Sequence, residues 1–344
     1  MKQILALTYC FLISALSMGQ SQLPEKEFYT EEKQNAIQKR ANQMERLNSL
    51  LILKNDSLVF ENYYNEFEKT GFSNVKSGSK SILNLLIGLA IENGYIESID
   101  QPIKDFLPHL FHDDLDSRKE EITIRHLMLM QSGLEPTSLS NYAPWVASDD
   151  WLQFALDQEL EADPGTLYGY STGDTHLLSA ALSHAVGVPS DEFALKYLYE
   201  PMGITPGKWS KDPQGYNEGG NNIHLRPRDF AKIGVLVKKK GVFNGKQIVS
   251  EEWIEESISF QTEPQGISRP FEILGYGYLW WLIEAAGYPT YCAIGFGGQY
   301  MMTIPDLDMI IVLTSRPKGS APSSHFASIA DLIENYIIKY SEPT

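Results

Sequence analysis

Cysteine is nearly absent from this chain. Its 344 residues hold two, Cys10 and Cys292, so no disulfide framework organises the fold. Cys292 lies in "YPTYCAIGFGG", which reads as a strand, where a lone thiol serves as a small core residue rather than a nucleophile. Basic charge is also short: 28 Lys and Arg stand against 44 Asp and Glu, a formal net charge of −16. That balance argues against a phosphate-tracking surface, and so against nucleic acid as a partner. It serves solubility. Internal repeats and low-complexity blocks are missing. No apolar run is long enough to span a bilayer. The one stretch with metal-ligand residues, "HLFHDD" from His109 to Asp114, sits in a polar loop without a further ligand cluster, so no metal site is expected.

What is present is the composition of an ordinary globular protein, 43% hydrophobic and 21% charged, with enough chain for one large domain or two lobes. The N-terminus, "MKQILALTYCFLISALSMGQSQ", sets one lysine before an apolar run from Ile4 to Leu16 and then small, polar residues. This pattern predicts a secretory signal over residues 1–19, cleaved near Gly19, and an exported protein, periplasmic or extracellular. Cleavage removes Cys10 and leaves no membrane-spanning segment.

Along the remaining chain, Glu31 to Leu50 reads as a polar helix. "LLILKNDSLVFENYY" reads as a hairpin around Asn55-Asp56. From about Ile99 to Val237 helices and loops alternate, with Asp174 and Gly187 as candidate caps of one helix. After Gly275 three or four strands follow on short turns, then an amphipathic helix. Short turns make an antiparallel sheet. The expected fold is α+β: an antiparallel sheet flanked by helices, built from about residues 25–72 and 245–344, with a mainly helical lobe inserted over about 73–244.

The stretch "VKSGSKSILNLLIGLAIENG" from Val75 places lysines and serines directly before a nearly apolar run, Ile82 to Ile91. A serine at a helix start meets unpaired N–H groups and the positive dipole end. A lysine three residues on shares its face. Against apolar walls such a lysine is desolvated and can take the hydroxyl proton. The S-x-x-K spacing occurs three times, at Ser73–Lys76, Ser77–Lys80 and Ser315–Lys318. The third contains Pro317 and starts no helix. The first leaves Ser77 and Gly78 inside the first turns. Ser77–Lys80 puts the serine at the cap and the lysine on the first turn. The competing reading of that pair is an N-cap serine with a surface lysine.

Two further segments bear on it. "PGTLYGYSTGDTHLLSAAL" from Pro164 resembles the element that carries the catalytic tyrosine in class C serine β-lactamases and their relatives, with Tyr170 in the tyrosine place and Thr172 where that family often has asparagine. "GFGGQYMMTIPDLDMIIVLTS" resembles the edge strand that carries a lysine or histidine and a glycine beside the nucleophile. Phe296 takes the cation's place there, followed by Gly297 and Gly298. With "ITIRHLMLMQSGLE", "LYEPMGI" and "LRPRDFAKIGVLVKKKGVFNGKQIVSEEWIEES", the resemblance to the class C β-lactamase-related serine hydrolases covers most of the chain. That group includes D,D-peptidases, family VIII esterases and 6-aminohexanoate-dimer hydrolases.

The resemblance implies a site between sheet and helical lobe, with Ser77 as nucleophile and Lys80 and Tyr170 as the proton relay. The amides of Ser77 and Gln299 are expected to hold the oxyanion, and Thr172, Phe296, Gly297 and Gly298 to line the substrate position. No metal or organic cofactor is required. The expected activity is hydrolysis of a small ester, amide or peptide through an acyl-enzyme. Phe296 cannot pair with a substrate carboxylate, which favours substrates without one there. The alternatives are a β-lactamase or D,D-peptidase and a non-catalytic ligand-binding member of the fold. A third is an α/β-hydrolase using Ser171 in "GYSTG", with Asp308 and His325 following in order. The residues before Ser171, "LEADPGTLY", are turn chemistry rather than the strand such an elbow needs.

Overall fold

The computed structural model describes residues 23–265, 270–317, 319 and 321–342. The signal segment therefore lies outside the described residues, as does Lys318. Seven strands form one antiparallel sheet: β1 (Leu47–Lys54), β2 (Ser57–Tyr63), β3 (Glu272–Tyr276), β4 (Trp281–Ala285), β5 (Tyr288–Gly295), β6 (Gln299–Ile304) and β7 (Met309–Ser315), in the order β2-β1-β7-β6-β5-β4-β3. The two ends of the chain meet in the middle of the sheet. There β1 pairs with β7, Leu50 opposite Leu313 and Ile52 opposite Ile311, and all four are fully buried. The hairpin β1–β2 turns at Asn55 and Asp56, with φ of 48° and 61°. Asparagine and aspartate tolerate this left-handed geometry, which matches strand twist.

The first helix, α1 (Glu31–Asn42), is shorter than the polar pattern predicts. It stops at Gln43, and the residues from Leu47 onward join the sheet as β1. The leucine-rich run gains more from burial between β2 and β7 than from continuing a surface helix. Between β2 and β3 the chain is mainly helical.

Its central piece is α2 (Ser79–Glu92), buried on every side from Ser79 to Ala90. A helix apolar all round belongs in an interior. The polar Asn84 is satisfied there. It donates to Ser257 Oγ at 3.0 Å, and its Oδ1 and backbone oxygen accept the indole N–H groups of Trp280 and Trp253 at 3.1 and 3.2 Å. Beside α2 runs α3 (Thr172–Val186). Gly187 ends α3 with φ 72°, as its left-handed C-cap geometry requires. The N-cap is Ser171, whose Oγ accepts the Asp174 amide at 3.2 Å, so Asp174 lies inside the helix rather than capping it. Two further helices flank the sheet, α4 (Pro227–Lys238) and α5 (Ser323–Asp331). No helix among the described residues is long and apolar enough to cross a membrane.

Candidate active site

Four pieces of chain converge at the start of α2. The first is the tight turn Lys76–Gly78, which leads into α2. Ser77 is half-buried in it, one residue before the formal cap Gly78, and its hydroxyl makes no capping bond to the helix. Lys80 is 2% exposed, so it is no surface lysine. Its Nζ lies 3.5 Å from Ser77 Oγ, 3.4 Å from Thr172 Oγ1 and 2.8 Å from the backbone oxygen of Gly220.

The second piece is the entry to α3. Tyr170 is half-buried, with Lys80 Nζ 5.1 Å from its ring centroid and Trp281 against it at 5.8 Å. Thr172 is buried and turns its hydroxyl to Lys80. Ser138 holds it there, its Oγ 2.9 Å from Thr172 Oγ1 and accepting the Thr172 amide at 2.9 Å.

The third piece is the loop 218–222. A two-residue ribbon, Ser73–Asn74 against His224–Leu225, brings it over α2. Gly220 is required by close approach: a Cβ there would sit 2.6 Å from Lys80 Nζ and 2.3 Å from Thr175 Oγ1. Asn222 accepts from Lys76 Nζ at 3.1 Å and donates to Glu218 Oε2 at 2.6 Å. Burial pulls the Lys76 ammonium below its ordinary range, with Glu218 acting the other way. Burial likewise lifts the Glu218 carboxyl.

The fourth piece is the end of β5. The β4 pairing stops at Trp281 opposite Cys292, and beyond it Gly295 packs on the serine turn. A Cβ on Gly295 would meet Val75 O at 2.1 Å and Lys76 Cβ at 3.0 Å. Ala293 and Ile294 are buried and apolar, so no cation from this strand end faces the serine turn. Phe296 follows, 53% exposed. Gly297 and Gly298 complete the hairpin with φ of 80° and 96°. Gln299 opens β6 opposite Gly295. Its side chain is buried and clamps β7, donating to Ser315 O at 2.8 Å and accepting from Ser315 N at 3.1 Å.

Ser77, Lys80, Tyr170 and Thr172 are thus brought together, and the glycine that approaches them is Gly295 rather than Gly297 or Gly298. The other serine motifs go elsewhere. Ser73 donates to Thr314 Oγ1 at 3.0 Å, and Ser315 is tied to Gln299 and to His325 Nε2 at 3.2 Å. Ser171 is 2% exposed and caps α3. Asp308 pairs with Lys238, so Ser171, Asp308 and His325 each have separate structural partners.

The sequence reading passes over Gly220, Asn222 and Ser138, and gives the acid Asp174 only the role of a cap. Asp174 is wholly buried, its Oδ2 without a hydrogen-bond partner. Burial pushes its carboxyl up to about 7, against hydrogen bonds from Ser132 and Ser171 and the charge of Lys80. The Gly219-Gly220 pair in "NEGGNN" was the one legible signal for that loop, since paired glycines mark close backbone approach.

The family model described as Beta-lactamase matches residues 44–334. The 6-aminohexanoate-dimer hydrolase of Paenarthrobacter ureafaciens is 22% identical over 288 residues, which cover 78% of this chain and 72% of that one. A Bacillus anthracis structure assigned as a 6-aminohexanoate-dimer hydrolase superposes with a TM-score of 0.72 at 18% identity, covering 92% of this chain and 89% of that one. The D-amino acid amidase of Ochrobactrum anthropi SV3, complexed with L-phenylalanine, gives 0.70 at 15% identity, over 89% of this chain and 97% of that one.

Proposed function

Because this chain belongs to the β-lactamase family, we propose that it is a serine hydrolase that cleaves small esters or amides through an acyl-enzyme on Ser77. The observation that carries this reading is the buried Lys80 side chain, whose Nζ lies 3.5 Å from Ser77 Oγ. Ser77 Oγ attacks the substrate carbonyl, forming the Oγ–C bond while its proton passes to Lys80 or Tyr170. The same relay returns a proton to the leaving alkoxide or amine as the C–O or C–N bond breaks. Water then attacks the acyl carbon, gives up its proton to the relay and releases the acid and Ser77.

The Ser77 amide supplies one oxyanion donor. For the second, the packing of Gly295 on Val75 supports the next amide, that of Phe296, in place of the Gln299 amide expected from sequence. Thr172 and Gly220 hold Lys80 on the serine. The apolar strand end favours substrates that carry no carboxylate at that position over β-lactams. The apolar run Ile4–Leu16 supports export with loss of residues 1–19. N-terminal sequencing of protein from the native host tests this, and an intact Met1 sinks it.

A fluorophosphonate probe followed by peptide mapping tests the nucleophile. Labelling on Ser77 is expected; labelling on Ser171 replaces this mechanism with that of an α/β-hydrolase.

A further inference from the structure

Two apolar side chains stand in solvent, each one residue along the chain from a group that builds the site. Leu139 is 92% exposed and Phe296 53%. Leu139 follows Ser138, which holds Thr172. Phe296 follows Gly295, which packs on the serine turn. Leu139 also has φ 53°, a left-handed conformation that is costly for a residue with a bulky side chain.

The strain is held in place from both sides. Ser138 is bonded to Thr172 on one wall. Three residues past Leu139, Tyr142 OH accepts from Asn221 Nδ2 at 3.0 Å, beside the Gly220 carbonyl that receives Lys80. Asn141 Nδ2 donates to Glu135 Oε1 at 2.8 Å. The segment 138–142 is therefore pinned between α3 and the loop 218–222, and Leu139 is held out between the pins. Strain of this kind persists only where the surroundings enforce it, and it clusters at ligand clamps.

We propose that Leu139 and Phe296 are specificity-determining residues that flank an apolar, uncharged acyl group of the substrate. This rests on Ser77 as nucleophile. The acyl group is the part that becomes bonded to Ser77, so side chains one step from the neighbours of Ser77 and Lys80 reach it. The other charged groups nearby are engaged: Lys76 and Glu218 both bond Asn222. Their opposite charges meet at this one amide and offset each other.

The test uses p-nitrophenyl acetate, butyrate, hexanoate and octanoate on the full-length protein. The readout is the ratio of kcat/KM for hexanoate to that for acetate, which cancels any loss common to both. A buried methylene is worth about a threefold to fourfold gain, so the wild-type ratio is expected at roughly tenfold or more. Leu139→Ser and Phe296→Ser should each lower it by about threefold or more. Leu139→Gly removes the backbone strain as well, so it should lower the ratio while keeping or raising Tm. Leu195→Ser, at an exposed apolar position outside the four pieces of chain that build the site, should leave the ratio unchanged.

A ratio unchanged in all three site variants overturns this inference while Ser77 is still labelled by fluorophosphonate. Absence of labelling at Ser77 overturns the hydrolase reading on which it rests.

Discussion

Ser77 and Ser171 both stand at the entrance of a long buried helix, and the sequence around each matches a hydrolase motif. Their surroundings differ. Ser171 Oγ accepts the Asp174 amide at 3.2 Å and the Thr137 amide at 3.4 Å, and it is closed off from solvent. Ser77 sits in a tighter turn, half-exposed, with the capping position taken by Gly78. Its hydroxyl has a buried lysine beside it instead of backbone amides. A serine that satisfies helix N–H groups is held in place by that work. A serine relieved of capping, next to a desolvated amine, is available as a nucleophile.

Exchanging the two hydroxyls tests this contrast most severely. Ser77→Ala should cost at least ~10³-fold in kcat, since removing the nucleophile of an acyl-transfer unit removes the whole unit. Ser171→Ala should leave most activity and lower stability by about 1 kcal/mol, the usual cost of a lost cap. Ester turnover and thermal melts on both variants decide it. Retained turnover in Ser77→Ala destroys the comparison.

Next in size is the relay. Lys80→Ala and Tyr170→Phe should each lower kcat by roughly 10²–10⁴-fold, with the far-UV CD spectrum preserved. If neither variant slows turnover, proximity of Lys80 to Ser77 has no catalytic meaning.

The acid on the Ser171 side sharpens the contrast through pH. Asp174 has its carboxyl raised from 3.8 to about 7 by burial. The folded state therefore holds this proton more tightly than the unfolded chain does. The resulting stability is present in full below the unfolded value and is lost as pH rises through about 7. The difference amounts to roughly 4 kcal/mol, an order-of-magnitude figure for a fully buried group. Asp174→Asn has no such titration. Its stability relative to wild type should rise between about pH 4 and about pH 8, measured by urea melts at each pH. A constant difference refutes the assignment.

The smallest effect concerns the apolar strand end beside Ser77. A charged hydrogen bond to a β-lactam carboxylate is worth roughly 1.5–3 kcal/mol, one to two decades in kcat/KM. Without it, a p-nitrophenyl short-chain ester should be preferred over a chromogenic cephalosporin. A preference for the cephalosporin by about tenfold would mean that another group supplies the cation.

Much of this was legible in one dimension. The hairpin at Asn55-Asp56, the cap Gly187 and the antiparallel strands after Gly275 follow from local turn chemistry and period-two patterning. Three errors share one cause. The sequence pattern extends the first helix through residues 47–50, makes Asp174 a cap and puts the glycines of the strand end at 297–298, whereas in the structure Leu47 opens β1, Ser171 caps and Gly295 packs on the serine turn. In each case the local pattern allowed two registers, and contacts with distant chain chose between them. β7 recruits Leu47–Leu50, Ser171 takes the cap, and Val75 meets Gly295.

The sequence by itself determined which residue types were available: a lysine one turn after a serine, a tyrosine before a helix, and no cation on the glycine-rich hairpin. Ser77 lies in the tight turn that leads into α2 and Lys80 in the first turn of α2, three residues on, a spacing that puts both on one side of the chain as it winds. Only the tertiary structure decided that Lys80 would be buried, because the groups that cover it, Thr172 and Gly220, lie 92 and 140 residues away along the chain. Only it decided that the wholly buried Asp174 would feel the Lys80 charge. Burial and electrostatics depend on what surrounds a group in space, and no local pattern carries that information.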